Sequence, residues 1–469
     1  MREHRTRPEV APSEPPGWEA SRIGIAATRT FSSLRVRNYR RYFTGQMISM
    51  CGTWMQTVGQ AWLVLKITGS GTALGLVTAL QFLPVLLLGP VGGLLADRLA
   101  KRRVILVTQS LSALLALVLG VLVTTGDVRL WHVYVLASCL GLVSTIDNPT
   151  RQTFVLEMVG PEDLANAVTL NAVMLNGARV IGPAIAGALI AGFGLAVCFY
   201  VNAASYIAVL VAVALMAAAE LHSTPRTTRA KGQLRDGFRY VRATPVLRDS
   251  LIMMAIVGTL TYEFQVNLPL VARYTFHGTA ATYSLLTAAM GLGAVVGGLF
   301  TASRRHGGAA TLVRSALVLG GVVLVAAIAP TLATEVVVLL FVGAASISFL
   351  SRGSTTLQLE AEPEMRGRVM GLWSVAFLGS TPIGGPIIGA VGQHAGPRWG
   401  LVVGGSAGVV AGLIGFNTLR RARRRPATAG VPASALGDVS GAALDEAGVD
   451  AEIEELLPAA AVDEGAQRP

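Results

Sequence analysis

Charge is what this sequence has least of. Only 14% of its 469 residues are Asp, Glu, Lys or Arg, while 52% are hydrophobic. Soluble domains carry about 25% charged residues, and the mean hydropathy here is +0.57, so a soluble globular chain is excluded. Aromatics are scarce, at 6%. The cysteines number three, Cys51, Cys139 and Cys198, each inside an apolar run. An odd set of buried thiols without metal-ligand spacing speaks against a disulfide framework or a metal site, and small core residues are expected. Met1–Arg41 has no apolar run before a small-residue cleavage site, so no cleavable signal is expected and the first membrane helix directs insertion. No Gly-x-x-x-x-Gly-Lys-[Ser/Thr] loop is present, which leaves ATP-driven pumping within this chain unsupported. His-Glu-x-x-His, Gly-x-Ser-x-Gly and Cys-x-x-Cys are missing too. No catalytic constellation and no cofactor is therefore expected. Negative charge is the rarer sign, with 27 Asp and Glu against 38 Lys and Arg, a net charge of +11. In a soluble protein that excess would suggest nucleic acid; here it is read as a topology signal at one membrane face, with no nucleic-acid partner.

What the chain does have is long apolar runs and 53 glycines, as expected where helices pack closely in lipid. Runs long enough to cross a bilayer, about 20 residues each, are predicted near 42–66, 72–96, 104–125, 130–150, 164–191, 195–218, 248–272, 280–302, 311–329, 332–355, 367–391 and 398–419. That makes twelve. The stretch Gly93–Arg103 lies between the second and third runs and holds one acid followed by four cations. A link so short makes its flanking helices antiparallel neighbours, and its cations place it on the cytoplasmic face. Gly93 before the turn is expected to let two backbones approach closely. With both termini cytoplasmic, the outer side holds only Lys66, Arg129, Arg273 and Arg398, and Arg179 falls inside a run. The remaining 33 of the 38 cations are cytoplasmic, which fixes the orientation and supports an even count of crossings.

The expected organisation is a mostly disordered cytoplasmic arm over 1–41, a six-helix half over 42–218, a cytoplasmic linker over 219–247, a second six-helix half over 248–420 and a disordered tail over 421–469. Within the arm, the basic and aromatic stretch Leu34–Phe43 can lie at the headgroup level and anchor the first helix. In the linker, Leu234, Phe238 and Val241 recur at helical spacing with arginines between them, which predicts an amphipathic helix on the inner leaflet. The halves repeat weakly. Arg151 to Pro161 lines up with Arg352 to Pro363, and each proline is followed about 22 residues later by a Gly-Pro step, Gly182-Pro183 and Gly385-Pro386.

Ionisable groups within lipid are costly, about 2.5 to 3.5 kcal/mol on insertion scales, so each needs a reason. Arg179 and Glu263 lie at similar depth in the fifth and seventh runs, one in each half. A desolvated carboxyl at Glu263 suits a group that loads and releases a proton; the other reading is a fixed ion pair, with Arg179 as its partner, that pins the halves together. Arg179 is either an anion or substrate contact or a structural hydrogen-bond donor. Asp147 and Arg151, near the cytoplasmic end of the fourth run, are candidates for a gate, with Asp147 pairing to the basic hairpin or to Arg151. Gln56, Gln60, Gln81 and Asn267 could line a central cavity or bond across helices, and Trp54 and Tyr262 could wall it or simply pack.

Two motifs carry a family resemblance. Gly93, Asp97, Arg98, Lys101 and Arg102 resemble the hairpin signature Gly-x-x-x-Asp-Arg-x-Gly-Arg-Arg of the major facilitator superfamily, with Ala100 where the second glycine usually stands. Arg179, Gly182, Pro183 and Gly187 fall in a stretch that resembles the fifth-helix motif of superfamily antiporters, Gly-Pro-x-x-Gly-Gly, with Ala186 replacing one glycine. The likeness covers most of residues 31–425 and is strongest to the branch of drug, macrolide and siderophore exporters. It implies an all-α polytopic fold of twelve helices in two six-helix repeats that rock around a central site. It also implies a monomer in the plasma (inner) membrane, within a lipid bilayer, that exports a small amphipathic molecule in exchange for protons. Asp97 and Arg98 would form a cytoplasmic latch, Asp97 reaching the start of the eleventh helix near Arg366-Gly367-Arg368. Uptake or uniport of a small solute is a same-class alternative, and a non-transporting membrane scaffold or sensor is a different one.

Overall fold

The computed structural model describes residues 32–222, 233–303, 308–377 and 379–424. These are α-helical with no strands among the described residues. The bilayer imposes this, because a backbone in hydrocarbon must satisfy its own hydrogen bonds. One compact unit spans Met1–Leu419; of the remainder, Arg420–Pro469, the described residues are 420–424, in helical conformation. The expected disordered arm and tail fall outside the described residues, except at their inner edges.

The first six crossings use five continuous helices: α1 (Arg37–Thr68), α2 (Gly71–Arg98), α3 (Lys101–Thr125), α4 (Leu130–Phe193) and α5 (Ala196–Ala214). α1 stops where Gly69 turns left-handed (φ 63°) and returns its N–H to the Leu65 carbonyl, the conformation that glycine adopts most readily. Ser70 then caps α2 by accepting from Ala73 N at 3.1 Å. α4 is 64 residues long, about 96 Å at 1.5 Å per residue, far beyond one crossing. It bends at Gly160 (φ 72°, ψ 177°), just before Pro161, and so supplies two crossings. The predicted loop between the fourth and fifth runs is therefore mostly helix, with the reversal concentrated at the Gly-Pro step. Ten described segments are long and apolar enough to cross. Counting α4 twice and adding α1, whose polar residues lower its hydropathy, gives the predicted twelve.

The second six follow a surface helix, α6 (Gln233–Ala243). α6 does form where predicted, but it is not a free leaflet helix. Val241 is buried with Leu247, Leu251, Leu357 and Val369, and the Tyr240 hydroxyl accepts from Glu362 N, while Phe238 remains exposed. The seventh crossing is broken into α7 (Pro245–Ile256), a π-helical turn at Val257–Thr261, α8 (Phe264–Leu270) and a second such turn at Val271–Thr275. Then come α9 (Ala280–Ser303), α10 (Ala309–Ala327) and α11 (Leu332–Glu360). The eleventh crossing is also broken, into α12 (Arg366–Phe377) and α13 (Thr381–His394), before α14 (Pro397–Arg424) closes the fold.

The stretch expected at headgroup level is packed instead. Asn38 and Tyr39 are buried, with the Tyr39 hydroxyl on Ala167 O at 2.9 Å and the Asn38 amide exchanging hydrogen bonds with Ala217. Ser33 Oγ donates to Asn166 Oδ1 at 2.6 Å. The start of α1 is thus clamped to the second part of α4 and to the chain after α5.

Candidate functional site

Two adjoining cavities occupy the middle of the molecule. On α1, Thr53, Gln56, Thr57 and Gln60 recur at i, i+3, i+4 and i+7, which puts them on one face. This stripe walls a polar cavity together with Gln81 of α2 and Asn202 and Tyr206 of α5. Asn202 Nδ2 donates to Gln56 Oε1 at 2.6 Å, so the stripe is anchored within its own half. Thr57 and Gln265 also border the second cavity, which encloses about 620 Å³ including its open side. Trp54, Arg179, Tyr262, Phe264, Tyr283, Thr287, Met290 and Ser346 line it, drawn from both halves. Gln265, Thr57 and the α9 residues had not been predicted. Extending Gln56 and Gln60 to the full helical stripe would have found Thr53 and Thr57; nothing in the sequence marks the α9 residues.

Small residues aim Arg179 into this space. A Cβ on Gly182 would lie 2.5 Å from Trp54 Cβ and 2.7 Å from Cys51 O, so only glycine lets α4 lie this close to α1. On the other side, a Cβ on Gly187 would stand 2.9 Å from Ser284 Cβ, and one on Gly291 would stand 3.0 Å from Arg179 O. Pro183 is buried between these contacts. The guanidinium of Arg179 lies over the Trp54 ring, 5.0 Å from its centroid. It forms no ion pair among the described residues, so the fixed Glu263–Arg179 pair, one of the two readings of Glu263, is absent.

Glu263 sits at the break in the seventh crossing (φ −81°, ψ 38°). The break turns Tyr262 into the cavity, edge-on to Phe377 at 4.8 Å, and turns Glu263 away toward α13. Glu263 is 4% exposed, and its Oε1 has no hydrogen-bond partner among the described residues. It faces Gly384 and Gly385: a Cβ on Gly384 would stand 2.9 Å from Oε1 and overlap the Thr259 carbonyl oxygen. Asn267 does not line either cavity. Its amide, oriented to satisfy both neighbours, donates to Pro397 O at 3.0 Å and accepts from Leu401 N at 2.8 Å, capping the start of α14.

At the basic end, Asp147 is buried and fully engaged. It pairs with Arg151 Nε at 2.8 Å and accepts from Thr108 Oγ1 at 2.6 Å and Gln109 Nε2 at 3.0 Å. The pairing is to Arg151 and not to the hairpin, and it joins α3 to α4 within one half. Asp147→Ala is expected to destabilise the protein by about 3 kcal/mol, the lower end for stranding one partner of a buried pair, because the Arg151 side chain keeps 19% exposure. Thermal unfolding in detergent would read this as a lowered midpoint, and an unchanged midpoint would contradict it.

The hairpin cations have specific structural partners. Lys101 pairs with Glu157, and Arg102 donates to Val213 O at 3.1 Å and Ala214 O at 2.8 Å, capping the C-terminus of α5. Arg98 is exposed, and Asp97 is half-buried with no ion pair among the described residues. Arg366 and Arg368 bond locally, to Ala361 O and Met365 Sδ, so the expected contact of Asp97 with this stretch is not made among the described residues. The close backbone approach falls one residue before Gly93: a Cβ on Gly92 would overlap the Thr145 carbonyl oxygen.

The opposite end is sealed. Gly71 and Gly75 of α2 face Gly389 and Gly385 of α13, each close enough that a Cβ would press on the partner's carbonyl oxygen. Both pairs have Gly-x-x-x-Gly spacing, which suits close helix contact. Gln393 Oε1 accepts from Ser70 Oγ at 2.7 Å and Thr72 N at 3.1 Å. Tyr274 donates to Gly69 O at 2.6 Å, and Arg273 donates to Leu65 O. Toward the basic end, α12 packs on α6 and on α7 and α11 of its own half, whereas α13 packs on α2, and a Cβ on Gly367 or Gly371 would meet nothing within 4 Å. The helices converge at one end and part at the other.

A family model described as transmembrane secretion effector matches residues 28–432. The chain belongs to this family, within the major facilitator superfamily. It is 27% identical over 358 residues to the multidrug efflux pump Tap of Mycolicibacterium fortuitum, covering 73% of this chain and 87% of Tap. It is 26% identical over 394 residues to the enterobactin exporter EntS of Salmonella typhimurium, covering 83% and 94%. Among solved structures, a bacterial homologue of the human lysosomal transporter Spinster, inward-facing and unoccupied, superposes with a TM-score of 0.66 at 15% identity, covering 82% of this chain and 96% of that one. That likeness shows the fold. The family and these relatives are transporters, not enzymes, and this member is a multi-pass membrane protein.

Proposed function

We propose that this protein is a secondary active exporter that moves a small amphipathic molecule, of the drug or siderophore class, out of the cytoplasm in exchange for protons. The observation that carries the reading is the asymmetry of the molecule: a central cavity built from both halves, sealed at one end by the α2–α13 glycine contact and parted at the basic end. Alternating access needs such a state and its mirror, reached by rocking the 42–218 half against the 248–420 half. The gathering of cations at the open end supports a cytoplasmic position for it; on this reading the state is inward-facing, in the plasma membrane, with the whole pathway in a single chain. The relatives named for drug efflux and enterobactin export support the direction and the cargo class. Glu263, buried where two broken crossings meet, is the group that carries the proton, and Asp97 and Arg98 close a latch against the start of α12 when the basic end shuts.

The test is transport of the neutral dye N-phenyl-1-naphthylamine in inverted membrane vesicles. An imposed gradient, acid inside, is expected to drive dye inward, and a protonophore to stop it. Equal flux with and without the gradient would mean uniport and overturn the antiport reading. Asp97→Asn removes the latch charge but no packing, because Asp97 has no ion partner in the open state. It is expected to lower gradient-driven transport about tenfold, comparable to losing a coupling of about 1.4 kcal/mol, with thermal stability unchanged. A matching fall in stability would instead assign Asp97 a structural role.

A further inference from the structure

The charge inside the central cavity is one-sided. Among the described residues that line its two parts, Arg179 is the one formally charged side chain. Glu263, the nearest acid along the chain to this lining, is turned toward Gly384 and Gly385 on the far side of the break. A guanidinium in a membrane interior pairs with an acid or backbone carbonyls, or faces a polar cavity; Arg179 lies over the face of Trp54, which offsets only part of its lost hydration, and lines the cavity. Next to Arg179, Tyr262 Oη and Ser346 Oγ face each other, both buried and neither in a hydrogen bond of ordinary geometry, and both line the same space. Buried hydroxyls so poorly bonded are destabilising unless a ligand or water engages them. Around these polar groups the walls are aromatic and apolar, with Phe264, Tyr283 and Met290.

We infer that the cavity selects organic anions: compounds with an aromatic or apolar body and one carboxylate, sulfonate or phenolate. The anionic group pairs with Arg179 and accepts from Tyr262 and Ser346, while the body packs against the aromatic walls. A lipophilic cation meets the like charge of Arg179, so the site works against it as well as for the anion. This assignment rests on the transport reading for its biological sense, but binding to the cavity needs no gradient and can be measured alone.

The experiment uses the full chain purified in detergent and three radiolabelled probes on one aromatic frame: 1-naphthylacetate, 1-naphthylacetamide and 1-naphthylmethylammonium. The acetate is expected to bind at least tenfold tighter than the ammonium compound, with the amide between them. Arg179→Gln is expected to bring the acetate down to the affinity of the amide and leave the amide unchanged. Arg179→Lys, which keeps the charge but loses the planar group over Trp54, is expected to retain part of the preference, and thermal unfolding in detergent of each variant is the control for folding. Equal binding of the three probes to the wild type, a preference for the ammonium, or no binding of the acetate at all overturns the assignment. An intact preference without proton-driven transport would sink the antiport reading and leave this one standing.

Discussion

Glu263→Gln is expected to lower gradient-driven dye transport about a hundredfold, the scale on which a positioned proton-transfer group acts, while substrate exchange without a gradient persists. The change is isosteric. Gln fits the space that Gly384 and Gly385 leave beside the carboxyl, so packing of α13 on the seventh crossing survives. What disappears is the ability to bind and release a proton. The glutamine mimics the protonated acid, so the variant stays in the state that the loaded carrier would occupy. Counterflow, in which external substrate exchanges for internal substrate, does not require the proton to leave and reports whether the rest of the machine is intact. Loss of both activities would mean that the substitution has damaged the fold. Transport equal to wild type would remove Glu263 from coupling.

Gly75→Leu is expected to abolish transport by a different route. A Cβ at position 75 already overlaps the Gly385 carbonyl, and a leucine adds three more carbons. No rotamer relieves that, because the obstruction is backbone. The sealed end is wedged open and the inward-facing state is excluded, while the outward-facing state, in which α2 and α13 separate there, can still form. A cysteine at Thr72, in a background with Cys51, Cys139 and Cys198 replaced, should therefore react with an external impermeant maleimide several-fold faster in Gly75→Leu than in its absence. Gly75→Ala is expected to show a smaller shift of the same sign. A reactivity unchanged by the leucine would mean that the Gly-x-x-x-Gly contact does not form the seal.

Much of this arrangement was legible in the amino-acid order, because a bilayer leaves few choices. Apolar length reports crossings, and the side on which cations gather orders the topology; the twelve crossings and the basic hairpin follow from these alone. Glu263, Arg179 and the α1 glutamines stand out because polar groups are expensive in lipid. The misreadings have physical causes. Residues 151–159 look like a loop because Arg151 and Glu157 are charged, yet both are paired within the protein and the helix continues to Gly160. Asn267 lies four residues from Glu263, at helical spacing, but the break at 262–263 and Pro269 remove the regular helix that such spacing assumes. Gly92, not Gly93, makes the close approach because the rotational setting of α2 against α4 is a tertiary matter. The same holds for Gly71, Gly75, Gly385 and Gly389. Two Gly-x-x-x-Gly pairs about 310 residues apart mean nothing until the fold lays one helix on the other.

The glycine seam also bears on how fast the carrier can turn over. When a seal is made of interlocked side chains, parting it frees rotamers and closing it freezes them again, about 0.5 to 2 kcal/mol for each long side chain. The four glycines at the heart of this seal have no rotamers to lose, which leaves that cost to the few side chains at its rim, Gln393, Tyr274 and Arg273. The glycine contact is backbone against backbone, so it excludes substrate by proximity without a deep energy well. Two conformers joined by such a seal lie close in free energy, and modest differences in affinity for proton and cargo suffice to drive the population from one to the other. The residues with no side chain would thus set the rate of the cycle, by keeping the barrier between its halves low.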